Sequence, residues 1–209
     1  EFETKMKQVL HVYKQVEIWH KASAPSELTA VLSYDEKPGI QAIENTAADL
    51  APVPGRHSTV GRDHEYIRHG TLSLLAGIDL WTGEVLGLVR DRHRSAEFIE
   101  FLRLTDGHYP AEARIRMVLD NHSAHISRET RAFLATIPNR FEFIFTPTHG
   151  SWLNLIESFF GKMTRTLLRG IRVTSKSELK TRIEMYLQEV NDEPVIFRWK
   201  YKLDTLSVV

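Results

Sequence analysis

The chain has 209 residues, 42% hydrophobic and 26% charged, which is enough apolar material for one α/β domain with a real core. Lys and Arg together number 27, as do Asp and Glu, so the formal net charge is zero and any basic surface must be local. The absence of cysteine excludes disulfides, thiolate metal sites and cysteine nucleophiles. No apolar run is long enough for a membrane span, no signal peptide is visible, and the start at Glu1 indicates a fragment.

The predicted elements follow from apolar spacing and from Gly and Pro breakers. Apolar side chains at three- and four-residue steps predict an amphipathic helix over 2–20, and Pro25 marks a linker over 22–28. Strands are predicted over 29–35, 70–80, 84–90, 115–120 and 141–145. Helices are predicted over 95–104, 127–137, 151–169 and from Ser175 or Ser177 to Asn191. The stretch between the first two strands is rich in Gly and Pro and predicts irregular structure.

This order of elements predicts an α/β fold. Three consecutive strands followed by alternating helices and strands indicate a mixed five-stranded sheet with helices on both faces. We expect one domain over 29–193, preceded by the helix and linker of 1–28 and followed by a C-terminal tail over 194–209.

Three acids stand out by their positions. Asp35 and Asp120 are predicted to close strands, and Glu157 lies early in a helix, within an almost wholly apolar segment. A carboxylate in such surroundings is costly to ionise unless a cation compensates. Mg²⁺ prefers carboxylate oxygen, and two such ions can hold a phosphodiester between them. The pattern favours a metal-dependent phosphoryl-transfer site, with turn-capping Asp residues and a solvated Glu as the alternative.

Three segments carry a family resemblance: Ser-Tyr-Asp-Glu-Lys at 33–37, Leu-Asp-Asn-His-Ser-Ala-His at 119–125, and Pro-Thr-His-Gly-Ser-Trp-Leu-Asn-Leu-Ile-Glu at 147–157. In this order they resemble the acidic motifs of DDE transposases, in particular the bacterial insertion-sequence branch of the Tc/mariner superfamily. The resemblance implies a ribonuclease-H-like fold in which Asp35, Asp120 and Glu157 are the catalytic residues and bind two Mg²⁺ or Mn²⁺ ions. It also implies cut-and-paste transposition, in which phosphodiester hydrolysis at transposon ends is followed by 3′-hydroxyl strand transfer into target DNA.

The resemblance further implies the partners. These are the transposon terminal inverted repeats and a target DNA, commonly a TA dinucleotide, with a homodimer expected for the full-length protein. It implies a cytoplasmic bacterial protein that acts at the nucleoid, with no membrane. The helix over 2–20 resembles the connector that follows helix-turn-helix modules in full-length relatives, and no such module fits upstream of Asp35. The stretch 121–156 is slightly longer than in mariner relatives, which implies a small loop insertion before the last acid.

Polar residues near the acids are candidates for DNA contact or for support of the acids: Asn121, His122, His125, His149 and Asn154. A rival interpretation is a zinc or iron hydrolase site with Asp120, His122 and His125 as ligands and His149 approaching in space. A third is that each histidine simply caps a helix.

Local basic clusters are candidates for phosphate contact, which gives salt-sensitive affinity without reading sequence. They comprise Arg62 and His64 in the irregular stretch, Arg92 and Arg94 after the third strand, and Lys162, Arg165 and Arg169 on the helix of Glu157. The spacing of the last three predicts one stripe beside Glu157, and a solvated helix face is the alternative. Two rival functions remain open: a ribonuclease-H-fold nuclease or resolvase without strand transfer, and a host-adopted DNA-binding fragment without catalysis.

Overall fold

The computed structural model describes residues 1–24 and 28–197. Its strands are β1 (Thr29–Asn45), β2 (Tyr66–Asp79), β3 (Val85–Arg90), β4 (Arg114–Leu119) and β5 (Phe141–Phe145). Its helices are α1 (Phe2–Ala22), α2 (Ser95–His108), α3 (Arg128–Thr136), α4 (Ile156–Met163) and α5 (Lys176–Asp192). The predicted linker residues 25–27 and the tail residues 198–209 lie outside the described residues.

The five strands form one mixed sheet in the order β3-β2-β1-β4-β5. The first three strands are antiparallel neighbours, whereas β1 pairs with β4 and β4 with β5 in parallel. Strand β1 is central, and Val31, Leu32, Ser33 and Tyr34 are buried in succession, as expected for a strand covered on both faces. The predicted five-stranded mixed sheet is confirmed.

Helices cover both faces of the sheet. Apolar side chains of α1, α4 and α5 form one hydrophobic cluster with one face of the sheet, and those of α2 and α3 form a second cluster with the other face. In the second cluster Tyr34 is fully buried, with its ring centroid 5.1 Å from that of Phe98 and 4.7 Å from that of Phe101. Because successive strand residues point to opposite faces, neighbouring residues of β1 serve different clusters.

Helix α1 is part of the packed domain. Its residues Val9, Leu10, Val12, Tyr13 and Val16 are buried in the same cluster as α4 and α5. The Tyr13 hydroxyl donates a hydrogen bond to the backbone carbonyl of Leu153. The helix interpreted as a connector from its sequence therefore covers the sheet and contacts the segment that precedes α4.

Strands β1 and β2 are longer than predicted. Asp35 was expected at the end of a strand, but β1 continues to Asn45, and β2 begins at Tyr66 within the stretch predicted as irregular. The pairing register of β1 with β2 shifts between Lys37 and Ile40. This shift forms a β-bulge that accommodates Pro38, which has no backbone N–H to donate, and Gly39, whose φ is +67°. Pro38 and Gly39 therefore mark a bulge in the long β1–β2 hairpin, and Asp35 lies inside β1. We call the part of the hairpin beyond this bulge, residues 40–72, the hairpin arm.

The single helix predicted over 151–169 is divided in the structure. It consists of a 3₁₀ turn (Ser151–Leu153), helix α4, and a π-helical segment (Thr164–Leu168). Ser151 does not cap the helix, because Asn154 has an extended backbone and Leu155 is the N-cap residue. Hydrogen bonds from the Asn154 side chain to residues of β1, described below, stabilise the interruption between the 3₁₀ turn and α4. Among the residues that the structure describes, no helix is both long and apolar enough to cross a membrane.

Candidate active site

Asp35 lies on the central strand and faces the segment before α4. Its Oδ1 accepts a hydrogen bond from the backbone N–H of Glu36 at 2.8 Å, and its Oδ2 accepts one from Asn154 Nδ2 at 3.4 Å. Burial raises the pKa of Asp35 to about 7; the Glu36 backbone bond opposes this rise, and the negative charges of Glu36, Asp120 and Glu157 add to it. A bound cation would reverse this penalty.

Asp120 directly follows β4, the parallel neighbour of β1. Its Oδ1 accepts a hydrogen bond from the backbone N–H of His122 at 2.9 Å and lies 3.2 Å from His125 Nδ1. The hydrogen bond from His125 is the largest influence on Asp120 and lowers the pKa of its carboxyl, although partial burial opposes it. Both contacts use Oδ1, which leaves Oδ2 available for a further ligand.

Glu157 is in the first turn of α4, where the helix dipole favours an acidic side chain. The residue is exposed, yet partial loss of hydration raises the pKa of its carboxyl, and a hydrogen bond from Ser151 opposes the rise. Its charge also contributes to the raised pKa of Asp35. Glu157 and Asp120 therefore both act electrostatically on Asp35.

These three residues, called the acid site below, carry excess negative charge. In residues 1–24 and 28–197 none of them forms an ion pair with a Lys or Arg, and only Asp120 has a histidine partner. Carboxylate oxygen is the donor that Mg²⁺ and Mn²⁺ prefer, so the donor set fits a divalent cation. The acid site is more open than a closed metal cage, because its three carboxylates do not all lie within 4.8 Å of one another.

Asn154 joins β1 to the start of α4 and is 3% exposed. Its Nδ2 donates to the carbonyl of Tyr34 at 2.8 Å, and its Oδ1 accepts from the Ser33 hydroxyl. The Ser33 oxygen in turn accepts the backbone N–H of Ile156 at 3.0 Å. The sequence analysis predicted Asn154 as a residue near the acids but did not predict Ser33. The feature that could have indicated Ser33 is a hydroxyl side chain in an otherwise apolar strand, two residues before Asp35.

His125 bridges two of the acidic segments. It is buried, its Nδ1 lies 3.0 Å from the carbonyl oxygen of Asp120, and its Nε2 lies 2.9 Å from Glu36 Oε1. Burial alone would lower the pKa of His125, but hydrogen bonds to Asp120 and Glu36 raise it to about 9. The Tyr34 hydroxyl also donates to Glu36 Oε1, at 2.8 Å. Glu36 was not predicted as a site residue; its signal was an acid two residues after a core tyrosine.

The other predicted residues near Asp120 have separate positions. Asn121 donates to the Thr146 carbonyl at 2.6 Å and accepts from Lys5 Nζ at 3.2 Å, so it ties the end of β4 to α1. His149 is exposed, with φ of +63°, in the turn before Ser151.

Two of the ligands expected for a zinc or iron hydrolase, His122 and His125, are grouped in the structure with a different carboxylate. In the described part of the chain, a single group of three potential ligands lies with all ligand atoms within 4.8 Å: Glu36, His122 and His125. Glu36 takes the place expected for Asp120, and His149 is not in the group. We call these three residues the histidine cluster.

The basic residues are only partly brought together. Arg62 forms an ion pair with Asp49 at 2.7 Å and donates to the Gly170 carbonyl at 3.3 Å, so it binds the hairpin arm to the end of the π-helical segment. His64 is exposed in that arm, and Arg92 and Arg94 are exposed between β3 and α2. In the described part of the chain, no hydrogen bond or ion pair joins these four residues to Asp35, Asp120 or Glu157.

The stripe predicted on the helix of Glu157 is broken at its end. Lys162 is on α4 and Arg165 begins the next turn, but the backbone N–H of Arg169 bonds to Thr164 five residues earlier, at 2.8 Å. The π-helical hydrogen bonding changes the rotation per residue, and the backbone of Arg169 is extended. Arg169 therefore does not lie on the same helix face as Lys162 and Arg165.

A family profile described as DDE superfamily endonuclease matches residues 31–180, which is most of the chain and includes all three acids. The chain belongs to the DDE superfamily endonuclease family. The resemblance to insertion-sequence transposases is confirmed by a curated relative, the "Insertion element IS630 uncharacterized 39 kDa protein" of Shigella sonnei. It is 26% identical over 177 residues, which cover 84% of this chain and 50% of the relative. This DDE-family chain thus spans about half the length of that protein.

Solved transposase structures share the fold of this DDE-family chain. The Mos1 mariner paired end complex with Mn matches with a TM-score of 0.60 and 17% identity over 92% of this chain and 56% of that one. The catalytic domain of Mos1 mariner transposase matches with a TM-score of 0.56 and 15% identity over 92% of this chain and 83% of that one. The predicted ribonuclease-H-like α/β class is confirmed.

Proposed function

We propose that the chain is the catalytic domain of a cut-and-paste DNA transposase. It hydrolyses a phosphodiester at a transposon end and then joins the released 3′-hydroxyl to target DNA. The observation that carries the proposal is the acid site, in which the negative charges of Asp120 and Glu157 act on a half-buried Asp35 without a Lys or Arg counterion among the described residues. Membership of the DDE endonuclease family and similarity to an insertion-element protein support it.

Asp35, Asp120 and Glu157 would hold two Mg²⁺ or Mn²⁺ ions, and the similarity of the fold to the Mos1 mariner paired end complex with Mn supports the use of such ions. When bound there, such ions would supply Lewis-acid activation of the attacking oxygen and would stabilise the charge that develops on the leaving oxygen. The protein orients its own carboxylates beforehand. His125 and the His122 backbone hold Oδ1 of Asp120, and Asn154 holds Oδ2 of Asp35.

The residue types and positions around the acid site suit DNA. Lys162 lies on α4 with Glu157, and Arg165 lies in the π-helical segment that directly follows, so their cations can contact phosphates near the acids. We assign weaker, more distant phosphate contacts to Arg92, Arg94, Arg169, His64 and His149. Arg62 has a structural role through Asp49, and Asn121 through Thr146. The DNA partners are transposon terminal inverted repeats and a target with a TA dinucleotide, and the full-length protein acts as a homodimer at the nucleoid.

The test is a strand-transfer assay with the 209-residue chain, pre-cleaved transposon-end duplexes and a labelled TA-containing target in Mn²⁺. We expect joined products that disappear with Asp120→Asn and persist with His57→Gln, an exposed residue in the hairpin arm. Cleavage of the labelled target without joining would assign the chain as a nuclease or resolvase. DNA binding without either reaction, unchanged by Asp120→Asn, would assign it as a DNA-binding fragment.

A further inference from the structure

The histidine cluster lies across β1 from Asp35. Asp35 contacts Asn154 at the α4 side, whereas Glu36, one residue later, contacts Tyr34 and His125 on the α2 and α3 side. This separation follows from the alternation of strand side chains. The cluster is therefore a second group of potential metal ligands, and it shares no ligand with the acid site.

The donor atoms of the cluster are close and enclosed. The ligand atoms of Glu36, His122 and His125 all lie within 4.8 Å of one another, and the His122 and His125 ring centroids are 5.5 Å apart. Two imidazoles that share one tetrahedral metal, with metal–nitrogen bonds of about 2.0–2.1 Å, have centroids about 5 Å apart. The Glu36 and His125 side chains are 7% and 0% exposed. Small side-chain shifts would bring all three donors onto one ion.

An independent observation concerns His122 Nδ1. This atom is buried and makes no hydrogen bond, and it is the single buried side-chain nitrogen or oxygen in that condition within the described parts of the chain. A buried polar atom without a partner is unfavourable and indicates a missing ligand, water or ion. A metal ion would satisfy this nitrogen.

The hydrogen bonds of His125 match those of a metal ligand. Metal-bound histidines generally donate the second ring N–H to a carboxylate or carbonyl, which fixes the tautomer. His125 Nδ1 lies 3.0 Å from the Asp120 carbonyl and 3.2 Å from Asp120 Oδ1, while Nε2 faces Glu36. With Nε2 on a metal, the contact to Asp120 is unchanged.

We propose that Glu36, His122 and His125 bind one Zn²⁺ ion, distinct from the ions of the acid site. Two imidazole nitrogens and one carboxylate oxygen are a zinc donor set, whereas Mg²⁺ prefers oxygen ligands and retained water. A water molecule would complete a four-coordinate site. The His93 ring lies nearby, with its centroid 6.1 Å from that of His122. The ion ties β1 to the loop after β4 and holds the histidine that orients Asp120.

The test compares the intact chain with the double variant Asp35→Asn/Glu157→Gln, which lacks two of the three carboxylates of the acid site. Co²⁺ serves as a spectroscopic substitute for Zn²⁺. We expect the double variant to bind one Co²⁺ with the visible absorption of a four-coordinate nitrogen and oxygen site, displaced by Zn²⁺. The intact chain should show the same absorption, with any further Co²⁺ bound at the acid site. His122→Gln should weaken binding at least as much as the loss of an outer partner does, about 10–100-fold. Glu36→Gln should act similarly, and His57→Gln should have no effect.

Two results would overturn the proposal: no Co²⁺ binding by the intact chain, or binding that the double variant abolishes, since that would place the ion at the acid site. Circular dichroism verifies that each variant is folded. If Glu36→Gln unfolds, the Co²⁺ affinity of His122→Gln tests the proposal, because His122 is only half-buried and its replacement disturbs the fold less. The titration contains no DNA, so its outcome is independent of the strand-transfer assay. Failure of strand transfer with intact Co²⁺ binding would remove the transposase proposal and keep this one.

Discussion

Asn154 Nδ2 donates a hydrogen bond to the carbonyl oxygen of Tyr34 at 2.8 Å, and this bond joins the residue before Asp35 to the segment before Glu157. The two acids come from elements far apart in sequence, and the buried amide fixes the distance between those elements. Its oxygen is also satisfied, by the Ser33 hydroxyl. A fully paired buried amide of this kind specifies one arrangement of its surroundings.

Asn154→Ala should lower both stability and activity. The change leaves the Tyr34 carbonyl without its donor, and an unsatisfied buried group costs about 1–3 kcal/mol. Urea unfolding measures this loss, and the Mn²⁺ concentration for half-maximal strand transfer should rise. The matched control is Asn191→Ala, which removes a side chain bonded to the Val85 backbone far from the acids. If both variants raise the Mn²⁺ requirement equally, Asn154 has no specific role in positioning the acids.

Asp35→Asn should stabilise the chain in the absence of metal. Because the folded pKa of Asp35 is about 7, above the ordinary value of 3.8, the folded state binds its proton more tightly than the unfolded state. The ionised group therefore destabilises the fold increasingly from about pH 4 to pH 7, and the penalty is constant above that range. We expect the variant to gain roughly 1–4 kcal/mol at pH 8 and almost nothing at pH 4. Equal stability of the two proteins at pH 8 in EDTA would contradict the raised pKa.

His125→Gln should be destabilising, most strongly at low pH. The folded pKa of about 9 exceeds the ordinary 6.5, so the stabilisation by the charged ring is complete below pH 6.5 and is lost as the pH rises through 9. Breaking a buried charged contact typically costs about 3–5 kcal/mol. Unfolding in EDTA, which keeps the histidine cluster free of metal, at about pH 6 and pH 9.5 should show a gap between variant and parent that narrows at the higher pH. His57→Gln, at an exposed position, should follow the parent at both values.

Replacing Lys162 and Arg165 with Ala should weaken DNA binding and reduce its salt dependence. Each phosphate contact contributes about 0.9 to the slope of log K against log salt, so the pair should remove up to about 2 from that slope. Fluorescence anisotropy between 50 and 200 mM salt, as an order-of-magnitude range, measures the change. Replacing Lys180 and Arg182 on α5 with Ala, which removes two positive charges and the ion pairs with Glu184 and Glu178, is the charge-matched control. An unchanged slope would show that the two side chains contact only solvent.

The sequence was informative where periodicity and burial agree, as in the buried run of β1 and the order of strands and helices. It predicted Asp35, Asp120 and Glu157 in the correct elements but placed Asp35 at a strand end, because Pro38 and Gly39 are equally typical of loops and of bulges. The break at Asn154 could not be predicted from helical propensity, since contacts with β1 produce it.

The pairing of Glu36 with His125 was equally inaccessible. These residues are 89 positions apart, and no local pattern specifies which histidine of the segment 119–125 meets which acid of β1. Only the parallel register of β1 with β4 brings them together.

The register shift between Lys37 and Ile40 has a consequence for variation among related chains. Side-chain orientation in a strand reverses with each one-residue slip, so any slip of the inner part of β1 would exchange the faces of Asp35 and Glu36. The bulge separates that inner part from the outer arm of the hairpin. The arm can therefore gain or lose residues, and so diverge in length and composition, while Asp35 and Glu36, which contact Asn154 and His125, keep their orientation.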